Sequence, residues 1–429
     1  MTELLVLING ILAGRVFAGR RSRPGFVYDD EWRHSRDALP LSLSLPLAST
    51  HHDPDATAAV LWGFLPDNEH VLQRWASRFH VSPRNPLALL GHVGEDCAGA
   101  AQFVRPERYA GDIEDATGGV EWLDEAAVAE RLRLVRQDAG ATRRQDDIGQ
   151  FSLPGAQPKI ALHRDGGRWG IPQGRMPTTH ILKPPTGAFE GYAENEHFCL
   201  TLARALGLSV CESTILRFGD EITICVTRYD RQYQGGRWWR VHQEDFCQAL
   251  GVMPQRKYQN EGGPSPAAID RLLHQYSSQP QVDREDFLRS LAFNWLIGGS
   301  DAHAKNYSLL VGTGGTVRLA PLYDISSALP YPQIERRKLK MAMKVGSHYR
   351  WHDIRLSDWL ALGREMGLRD EHIRDVLMWG GSSIADAAAG VAAGMREGGI
   401  GHPIIDALVD AIAGSAARCL KMLNASSKG

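Results

Sequence analysis

Apolar residues follow two different periods along this 429-residue chain, and the changes of period suggest its units. Two apolar runs at residues 3–8 and 11–17 flank Asn9-Gly10, a pair typical of the tight turn of a β-hairpin. Residues 40–47, PLSLSLPL, alternate between apolar and polar positions and are bounded by prolines, which predicts an edge strand. Because apolar positions at helical spacing follow, we predict a small α/β unit over residues 1–105.

The remaining pattern predicts a connection, a β-rich unit and a helical unit. Residues 106–149 are rich in charge and contain one amphipathic helix, LDEAAVAERLRLV, before the polar loop RRQDDIGQ. Residues 150–235 contain short apolar runs separated by glycine turns, with a helix over ENEHFCLTLARALGL. Residues 236–429 are mainly helical, with a strand hairpin around GTGG. This order predicts an α+β fold in which a β-rich lobe precedes a mainly α-helical lobe.

Composition and charge narrow the class of protein. Hydrophobic residues make up 43% of the chain and charged residues 23%, which is typical of soluble globular proteins. Lys plus Arg number 48 and Asp plus Glu 50, so the net charge of −2 supplies no strong field for nucleic acid or a membrane. Any contact with nucleic acid must therefore come from a local patch or from a partner protein.

The cysteines and the N-terminus indicate the compartment. Six cysteines are scattered without a C-x-x-C pair, which disfavours a zinc ribbon and is typical of buried thiols in a reducing environment. The first apolar run is short, follows an acid and is broken by Asn9 and Gly10. We therefore expect a cytoplasmic protein without a signal peptide or a transmembrane span.

Four polar elements in a fixed order suggest phosphoryl transfer. They are a loop of small residues at 152–159, Lys183 at the end of a strand, Asp301 with Asn306 in GGSDAHAKN, and Asp324. Such a loop lets backbone N–H groups approach phosphates, a lysine neutralises them, and Asn and Asp oxygens suit Mg²⁺. The five-residue step from the aspartate to the asparagine equals that of the kinase catalytic loop. An Asp-x4-Asn loop alone is more often a turn, so the order of all four elements carries the prediction of ATP and Mg²⁺ as ligands.

Many motifs along the chain resemble those of one family. In this sequence they are PLSLSLPL, WGFLPDNEHV, GEDCAGAAQF, FSLPGAQPK, PTTHILKPP, ENEHF, RYDR, QEDFCQALG, GGSDAHAKN and PLYDISSA. The chain resembles the HipA family of bacterial toxin kinases, the partners of HipB antitoxins. The resemblance implies a serine/threonine-protein kinase fold with a small N-terminal α/β unit, a β-rich nucleotide lobe over 150–235 and a helical catalytic lobe over 236–429.

The resemblance also implies roles for individual residues. Asp301 is the catalytic residue, Asn306 and Asp324 bind magnesium, and Lys183 contacts the nucleotide phosphates. Ser152 matches the serine whose autophosphorylation expels the phosphate loop and switches the kinase off; the added charge would repel nucleotide phosphates. The implied nucleotide-binding set is completed by the phosphate loop Pro154, Gly155, Ala156, Gln157, Pro158 and Lys159, by the hinge Thr227, Arg228 and Tyr229, and by His303, Lys305 and Tyr323.

Two positions depart from the family pattern, and neither belongs to the catalytic pair Asp301 and Asn306. Thr227 stands where the family commonly has an acidic residue, so the resemblance does not determine the details of the adenine pocket. Pro158 stands where a charged residue is frequent, and it removes one backbone donor from the loop. As partners, the resemblance implies a HipB-like helix-turn-helix antitoxin, DNA reached through that antitoxin, and a protein substrate of the aminoacyl-tRNA synthetase class.

Several alternatives stay open on the sequence alone. Glu196 and Glu194 are both candidates for an ion pair with Lys183, and His303 and Lys305 either steady phosphate charge or orient their loop. The run ERRKLKMAMKV alternates Lys with apolar residues, which favours a half-buried strand over a nucleic-acid patch. For function, the rivals are a small-molecule kinase of the aminoglycoside type and a nucleotide-binding co-repressor.

Overall fold

The computed structural model describes residues 3–19, 23–111, 119–138, 152–174, 176–185, 187 and 189–425. The chain divides into two compact units. The first unit contains Met1–Thr186, Leu216–Arg256 and Leu309–Val317. The second unit contains Gly187–Ile215, Lys257–Ser308 and Arg318–Gly429. Each unit therefore combines segments that are far apart in sequence. The polar loop predicted at residues 143–150 lies outside the described residues.

The first unit begins with a four-stranded sheet in the order β3-β2-β1-β4. Its strands are β1 Glu3–Ile8, β2 Ile11–Ala18, β3 Pro24–Tyr28 and β4 Ala101–Val104. The helices are α1 Asp30–His34, α2 Pro54–Gly63, α3 Glu69–Phe79, α4 Pro86–Val93 and α5 Pro106–Gly111. Asn9 and Gly10 both have positive φ, at 51° and 83°, so the predicted hairpin turn is confirmed. The side chains of Asp29, Asp53, Asn68 and Asn85 cap four of these helices by accepting backbone N–H bonds.

The predicted edge strand over residues 40–47 is wrong. The segment forms only one isolated bridge, between Ser42 and Leu45, in a series of turns. Buried side chains take the place of a strand partner. The Tyr28 hydroxyl donates to Leu45 and accepts a backbone N–H at 2.8 Å, while Glu244 accepts a further backbone N–H at 2.8 Å. The alternating pattern therefore reflects burial against these groups rather than pairing in a sheet.

The same unit contains a six-stranded sheet in the order β5-β7-β6-β8-β10-β9. Its strands are β5 Val120–Leu123, β6 Ile160–Asp165, β7 Arg168–Pro172, β8 His180–Lys183, β9 Ser213–Phe218 and β10 Glu221–Thr227. Helix α6, Glu125–Gln137, lies in the predicted amphipathic stretch. It packs its buried side chains Val128 and Leu132 against Leu162 and Leu182 of the sheet. This apolar layer supports the end of β8, where Lys183 lies.

Shorter elements follow the sheet. They are the hairpin β11 Arg231–Gln234 and β12 Arg237–Arg240, then β13 His242–Asp245, and α8 Phe246–Ala249. Strands β14 Ser308–Val311 and β15 Val317–Leu319 flank GTGG as predicted and form a sheet with β13 in the order β13-β14-β15. The six cysteines are buried and reduced, as the sequence predicted.

The second unit is mainly helical. Its helices are α7 Tyr192–Ala205, α9 Pro266–Tyr276, α10 Pro280–Ile297, α11 Leu356–Glu365, α12 Asp370–Glu397 and α13 Ile404–Ala425. A hairpin of β16 Lys340–Val345 and β17 His348–Arg350 lies between them in sequence. Trp295 of α10 and Trp359 of α11 meet edge to face at 5.7 Å in the core. Strand β16 confirms the predicted half-buried strand for Lys340–Val345 of ERRKLKMAMKV, whereas residues 336–338 form a turn and Ala342 is buried as well.

Helix α12 needs an explanation because it is long and apolar. By length and composition it could cross a membrane, with a mean hydropathy of 1.2 in its most apolar window. Yet 44% of that window is already buried inside the protein, and α12 packs against α13, α10 and α7. Core helices pass the same test of length and composition. Its apolar residues are therefore accounted for by packing within the second unit.

Candidate active site

The predicted catalytic loop begins where α10 ends. Gly298 terminates the helix in the left-handed region, with φ 65°, and its N–H bonds back to Trp295. A Cβ at this position would lie 2.5 Å from the Leu329 side chain, so only glycine fits. The Gly298 carbonyl accepts the N–H of Ala328 at 3.1 Å. The turn thus joins the start of the catalytic loop to the segment that follows Asp324.

Asp301 and Asn306 are joined through the backbone of this loop. The Asn306 amide nitrogen donates to the Asp301 carbonyl at 2.8 Å, and the His303 N–H donates to the same oxygen at 2.7 Å. These bonds leave Asn306 Oδ1 as an acceptor, and the Asn306 side chain is buried. The Asp301 carboxylate, in contrast, is 63% exposed. The loop therefore holds the amide in place and presents the carboxylate to solvent.

Tyr258 holds the exposed carboxylate. Its hydroxyl donates to Asp301 Oδ1 at 2.5 Å, and its ring meets the His303 ring edge to face at 5.0 Å. His303 Nε2 lies 4.0 Å from the same carboxylate oxygen. The Ala304 N–H donates to the carbonyl of Lys257, beside Tyr258. This phenol was missed in the sequence analysis, because nothing in KYQNEGG indicates a contact with a loop 43 residues away.

Asp324 adopts an unusual backbone conformation. Its φ is 57°, and in the described residues only Asn9 and His80 share this property among non-glycine residues. Such a conformation costs on the order of 1 kcal/mol, and it persists where the surroundings fix it. The preceding residue supplies one such contact, since the Tyr323 hydroxyl donates to the Lys305 carbonyl at 2.8 Å. Tyr323 thus ties the segment of Asp324 to the catalytic loop.

Helix α7 fixes the other side of that segment. Asn195 exchanges two hydrogen bonds with the Ser327 backbone, at 2.8 and 2.9 Å. Its neighbours Glu194 and Glu196 are both buried. Lys183 belongs to the first unit and the two acids to the second, so the partner of Lys183 stays a prediction.

The oxygen ligands of this unit fit magnesium. Asn306 Oδ1 and the Asp324 carboxylate are the kind of ligand that a hard cation prefers. Across the described ranges, no group of three His, Cys, Asp or Glu side chains could hold a metal by itself. Magnesium commonly takes one or two protein ligands and completes its shell with water and phosphate oxygens. The pair is therefore suited to a metal that arrives with a nucleotide.

In the first unit, the predicted phosphate loop contacts the connection between α2 and α3. The Asp67 N–H donates to Gly155 at 3.2 Å, and Asn68 donates to Ala156 at 3.3 Å. Gly155 has φ 106°, a conformation that requires glycine, and its missing side chain leaves room for the Lys159 amine. Residues 152–159 contain no strand, and β6 begins only at Ile160.

Ser152 lies completely inside this unit. Its N–H donates to the Asp96 carbonyl at 3.0 Å, and its hydroxyl donates to the Phe64 carbonyl at 2.7 Å. The side chain has no exposed surface. Lys183 is also buried, at the end of β8 and opposite Ile224 of β10. Any reaction at Ser152 therefore requires the loop to leave this position.

One residue of the predicted hinge, Arg228, belongs to a buried ion cluster that the sequence analysis did not predict. Asp96 accepts from Arg231 at 2.9 Å and from Arg240 at 3.1 Å, while Arg228 donates twice to Asp230, at 2.8 and 3.0 Å. Burial alone would raise the pKa of Asp96, but the three guanidinium groups hold it well below its usual range. We call Asp96, Arg228, Asp230, Arg231 and Arg240 the ion cluster. All five groups are buried, and the two carboxylates compensate two of the three guanidinium charges, which leaves a net charge of +1.

The ion cluster affects the interpretation of the hinge. The Arg228 side chain is fully engaged with carboxylates and with Thr178, and its N–H donates to Thr179 at 3.0 Å. Thr227 and Tyr229 are only partly buried, and the Tyr229 hydroxyl donates to Gln243. Side-chain contacts with an adenine would therefore come from Thr227 and Tyr229 rather than from Arg228.

An exposed aspartate, a fixed asparagine and a second aspartate are the residue types that phosphotransferases of the kinase type use. Two family models match this chain, the HipA N-terminal domain over residues 4–104 and the HipA-like C-terminal domain over residues 151–387. The second match covers more than half of the sequence. The chain belongs to the HipA family.

Individual relatives agree with this assignment. A protein of Sinorhizobium fredii, Y4mE, named as a candidate kinase, is 35% identical over 95% of this chain and 96% of its own length. The serine/threonine-protein kinase toxin HipA of Shewanella oneidensis is 29% identical over 74% of this chain and 72% of its own. A solved HipA structure from Shewanella oneidensis MR-1, in a complex with HipB and operator DNA, matches with a TM-score of 0.83 and covers 98% of each chain. At 24% identity, that match shows the HipA-like fold.

Proposed function

We propose that this protein is an ATP- and magnesium-dependent serine/threonine-protein kinase of a toxin–antitoxin system. The observation that carries the proposal is the loop of the second unit, where Asp301 is exposed and held by Tyr258 while Asn306 is fixed beside it. The family relationship supports the same reaction, since its curated relatives include kinases.

The proposed chemistry depends mainly on positioning. The acceptor hydroxyl forms a bond to the γ-phosphorus as the bond from that phosphorus to the β–γ bridging oxygen breaks, which releases ADP. Asp301 orients the hydroxyl and takes its proton. Asn306 and Asp324 would hold magnesium, which neutralises charge on the phosphates. Lys183 and the loop from Pro154 to Lys159 bind the phosphates, and Thr227 and Tyr229 border the adenine.

Self-inactivation through Ser152 is part of the proposal. The buried hydroxyl is a donor to Phe64, and its surroundings offer carbonyl oxygens. A phosphoserine would carry between about −1.5 and −2 charges and no such donor, so it cannot remain in this position. Phosphorylation is therefore expected to keep residues 152–159 away from α2 and α3, which removes the phosphate loop.

The partners follow from the relatives. The solved HipA with the matching fold is in a complex with HipB and operator DNA, which supports a HipB-like antitoxin that brings this chain to DNA. The family resemblance suggests an aminoacyl-tRNA synthetase as the protein substrate, in the cytoplasm. The proposed functional segments are the N-terminal α/β unit over residues 1–105, the connection over 106–149, the nucleotide lobe over 150–235 and the catalytic lobe over 236–429.

Mass spectrometry after incubation with ATP and magnesium tests the proposal, with Asp301→Asn in parallel. One phosphate on Ser152 in the wild type and none in the variant is the expected result. Equal phosphate on both proteins would contradict the role of Asp301. Phosphate on a small molecule and on no protein would favour the aminoglycoside type of kinase, and nucleotide binding without any transfer would favour a co-repressor.

A further inference from the structure

We propose that an open cleft beside Asp301 binds the acceptor protein, and that Lys340 there selects a segment with an acidic side chain near the phosphorylated hydroxyl. The proposal rests on the proposed kinase function, and it adds the chemical class of the substrate segment. The cleft lies entirely in the second unit.

Two parts of the second unit form this cleft. Tyr258, Asn260 and Ser300 contribute from the loops before α9 and after α10, and Lys340 and Tyr349 contribute from the β16–β17 hairpin. The empty volume is about 410 Å³ and opens to solvent. An open cleft of this kind suits an extended segment of another protein better than an enclosed small molecule.

Two features place the cleft next to the Asp301 carboxylate. Ser300 precedes Asp301 in the chain, and the Tyr258 hydroxyl that borders the cleft donates to the Asp301 carboxylate. A hydroxyl that reaches the Asp301 carboxylate therefore belongs to a chain whose neighbouring residues lie at the cleft. Because an extended chain advances about 3.3–3.6 Å per residue, the cleft addresses residues close to the acceptor in sequence.

The charge of the cleft indicates what those residues are. Among the described residues that line it, Lys340 is the only charged one, and its side chain is exposed. In the part of the chain that the structure describes, its ammonium group has no ion-pair partner. Arg350 faces Lys340 across the hairpin and adds a second positive charge. An acidic side chain of the substrate would therefore be attracted to this position.

An RNA strand is the rival occupant, because Tyr258 and Tyr349 could stack on bases. The exposed Asp301 carboxylate at the edge of the cleft argues against it, since it would repel a phosphate backbone. The Tyr258 hydroxyl is also bound to that carboxylate, which restricts movement of its ring. A peptide brings one acidic side chain to Lys340 and an uncharged hydroxyl to Asp301, so the peptide fits both charges.

Phosphorylation of three matched peptides tests the proposal. Each contains one serine, flanked by Glu, by Ala or by Lys, and the full-length protein is compared with Lys340→Glu. For the wild type we expect the lowest KM with the Glu-flanked peptide, by about fivefold over the Ala-flanked one, as for an exposed ion pair. Lys340→Glu should invert the order and favour the Lys-flanked peptide. Lys338→Glu is the control, because Lys338 lies outside the cleft, pairs with Glu335 at 2.9 Å and is 77% exposed.

Each other outcome overturns the proposal in a distinguishable way. Equal KM values for the three peptides, equal effects of the two variants, or phosphate on Ser152 but on no peptide would reject the acidic subsite while keeping the kinase. A loss of binding to single-stranded RNA in Lys340→Glu, with unchanged peptide preference, would assign the cleft to RNA. No phosphate on Ser152 or on any peptide would reject the proposed function itself.

Discussion

Asp96 contacts the predicted site residues Ser152 and Arg228, and Asp301 is itself a predicted site residue, yet the surroundings of the two carboxylates are opposite. Asp96 is buried in the first unit among three arginines, and its carbonyl also accepts the N–H of Ser152. Asp301 is 63% exposed in the second unit and accepts a hydrogen bond from the Tyr258 phenol. A buried, neutralised carboxylate fixes the backbone around it, whereas an exposed one is available to a substrate. The contrast separates a residue that fixes the structure around a site from one that we propose reacts in it.

The largest effect is expected when Asp96 is removed. Asp96→Ala leaves Arg228, Arg231 and Arg240 with only Asp230 to compensate their charge. Breaking a buried pair in this way typically costs about 3–5 kcal/mol, because it leaves an uncompensated charge in the interior. Urea unfolding should show this loss. Arg15→Ala, which removes an exposed pair with Glu3 in the same unit, should cost less than about 1 kcal/mol. Similar losses in both variants would contradict the role of the ion cluster.

Asp301→Asn is expected to lower the activity strongly and to leave the stability almost unchanged. The substitution keeps the shape of the side chain but removes the carboxylate that orients the hydroxyl, so kcat should fall about 100- to 10,000-fold. The free energy of unfolding should change by less than about 0.5 kcal/mol, because the side chain is exposed. Initial-rate kinetics and urea unfolding on the same preparations check both statements. A loss of stability as large as that of Asp96→Ala would remove the distinction between the two carboxylates.

The difference between the two regions also explains what the sequence could predict. Local pattern and spacing were sufficient to predict elements whose residues lie close together in sequence. These are the Asn9-Gly10 hairpin, helix α6 and the Asp301–Asn306 loop. The ion cluster joins Asp96 to arginines 132 to 144 residues away, and no local pattern indicates such contacts.

The strand prediction for residues 40–47 is wrong because it, too, depends on contacts with distant residues. Its alternation is real, but Tyr28 and Glu244 supply the hydrogen bonds that a neighbouring strand would have supplied. Only the folded arrangement of distant residues distinguishes these two solutions. The Tyr258–Asp301 contact could not be predicted either, because it joins two loops that α9 and α10 separate in sequence.

The free energy of unfolding should depend moderately on pH through Glu244, another buried carboxyl group of the first unit. Burial raises its pKa from 4.5 to about 8, while hydrogen bonds from Ser42 and Leu43 lower it only partly. Between these values the folded state binds more protons than the unfolded state. The stabilising contribution is therefore complete below pH 4.5 and is lost as pH rises through 8, with a slope of at most about 1.4 kcal/mol per pH unit.

Glu244→Gln tests this statement because the amide keeps the size of the side chain and cannot ionise. Its oxygen can accept from Leu43, and its nitrogen can donate to the Ser42 hydroxyl. The difference in unfolding free energy between wild type and variant should therefore grow from pH 5 to pH 8, in favour of the variant. Urea unfolding at several pH values measures it. A difference that is independent of pH would show that Glu244 ionises alike in both states.

The smallest effect is expected for Tyr258→Phe. The substitution leaves the ring beside His303 and removes only the hydroxyl that donates to Asp301. The carboxylate then has more freedom, so kcat should fall by about three- to tenfold, in line with one exposed hydrogen bond. Tyr276→Phe, at an exposed tyrosine of α9, should leave kcat unchanged. An increase of kcat in Tyr258→Phe would mean that the phenol competes with the acceptor for Asp301 instead of orienting the carboxylate.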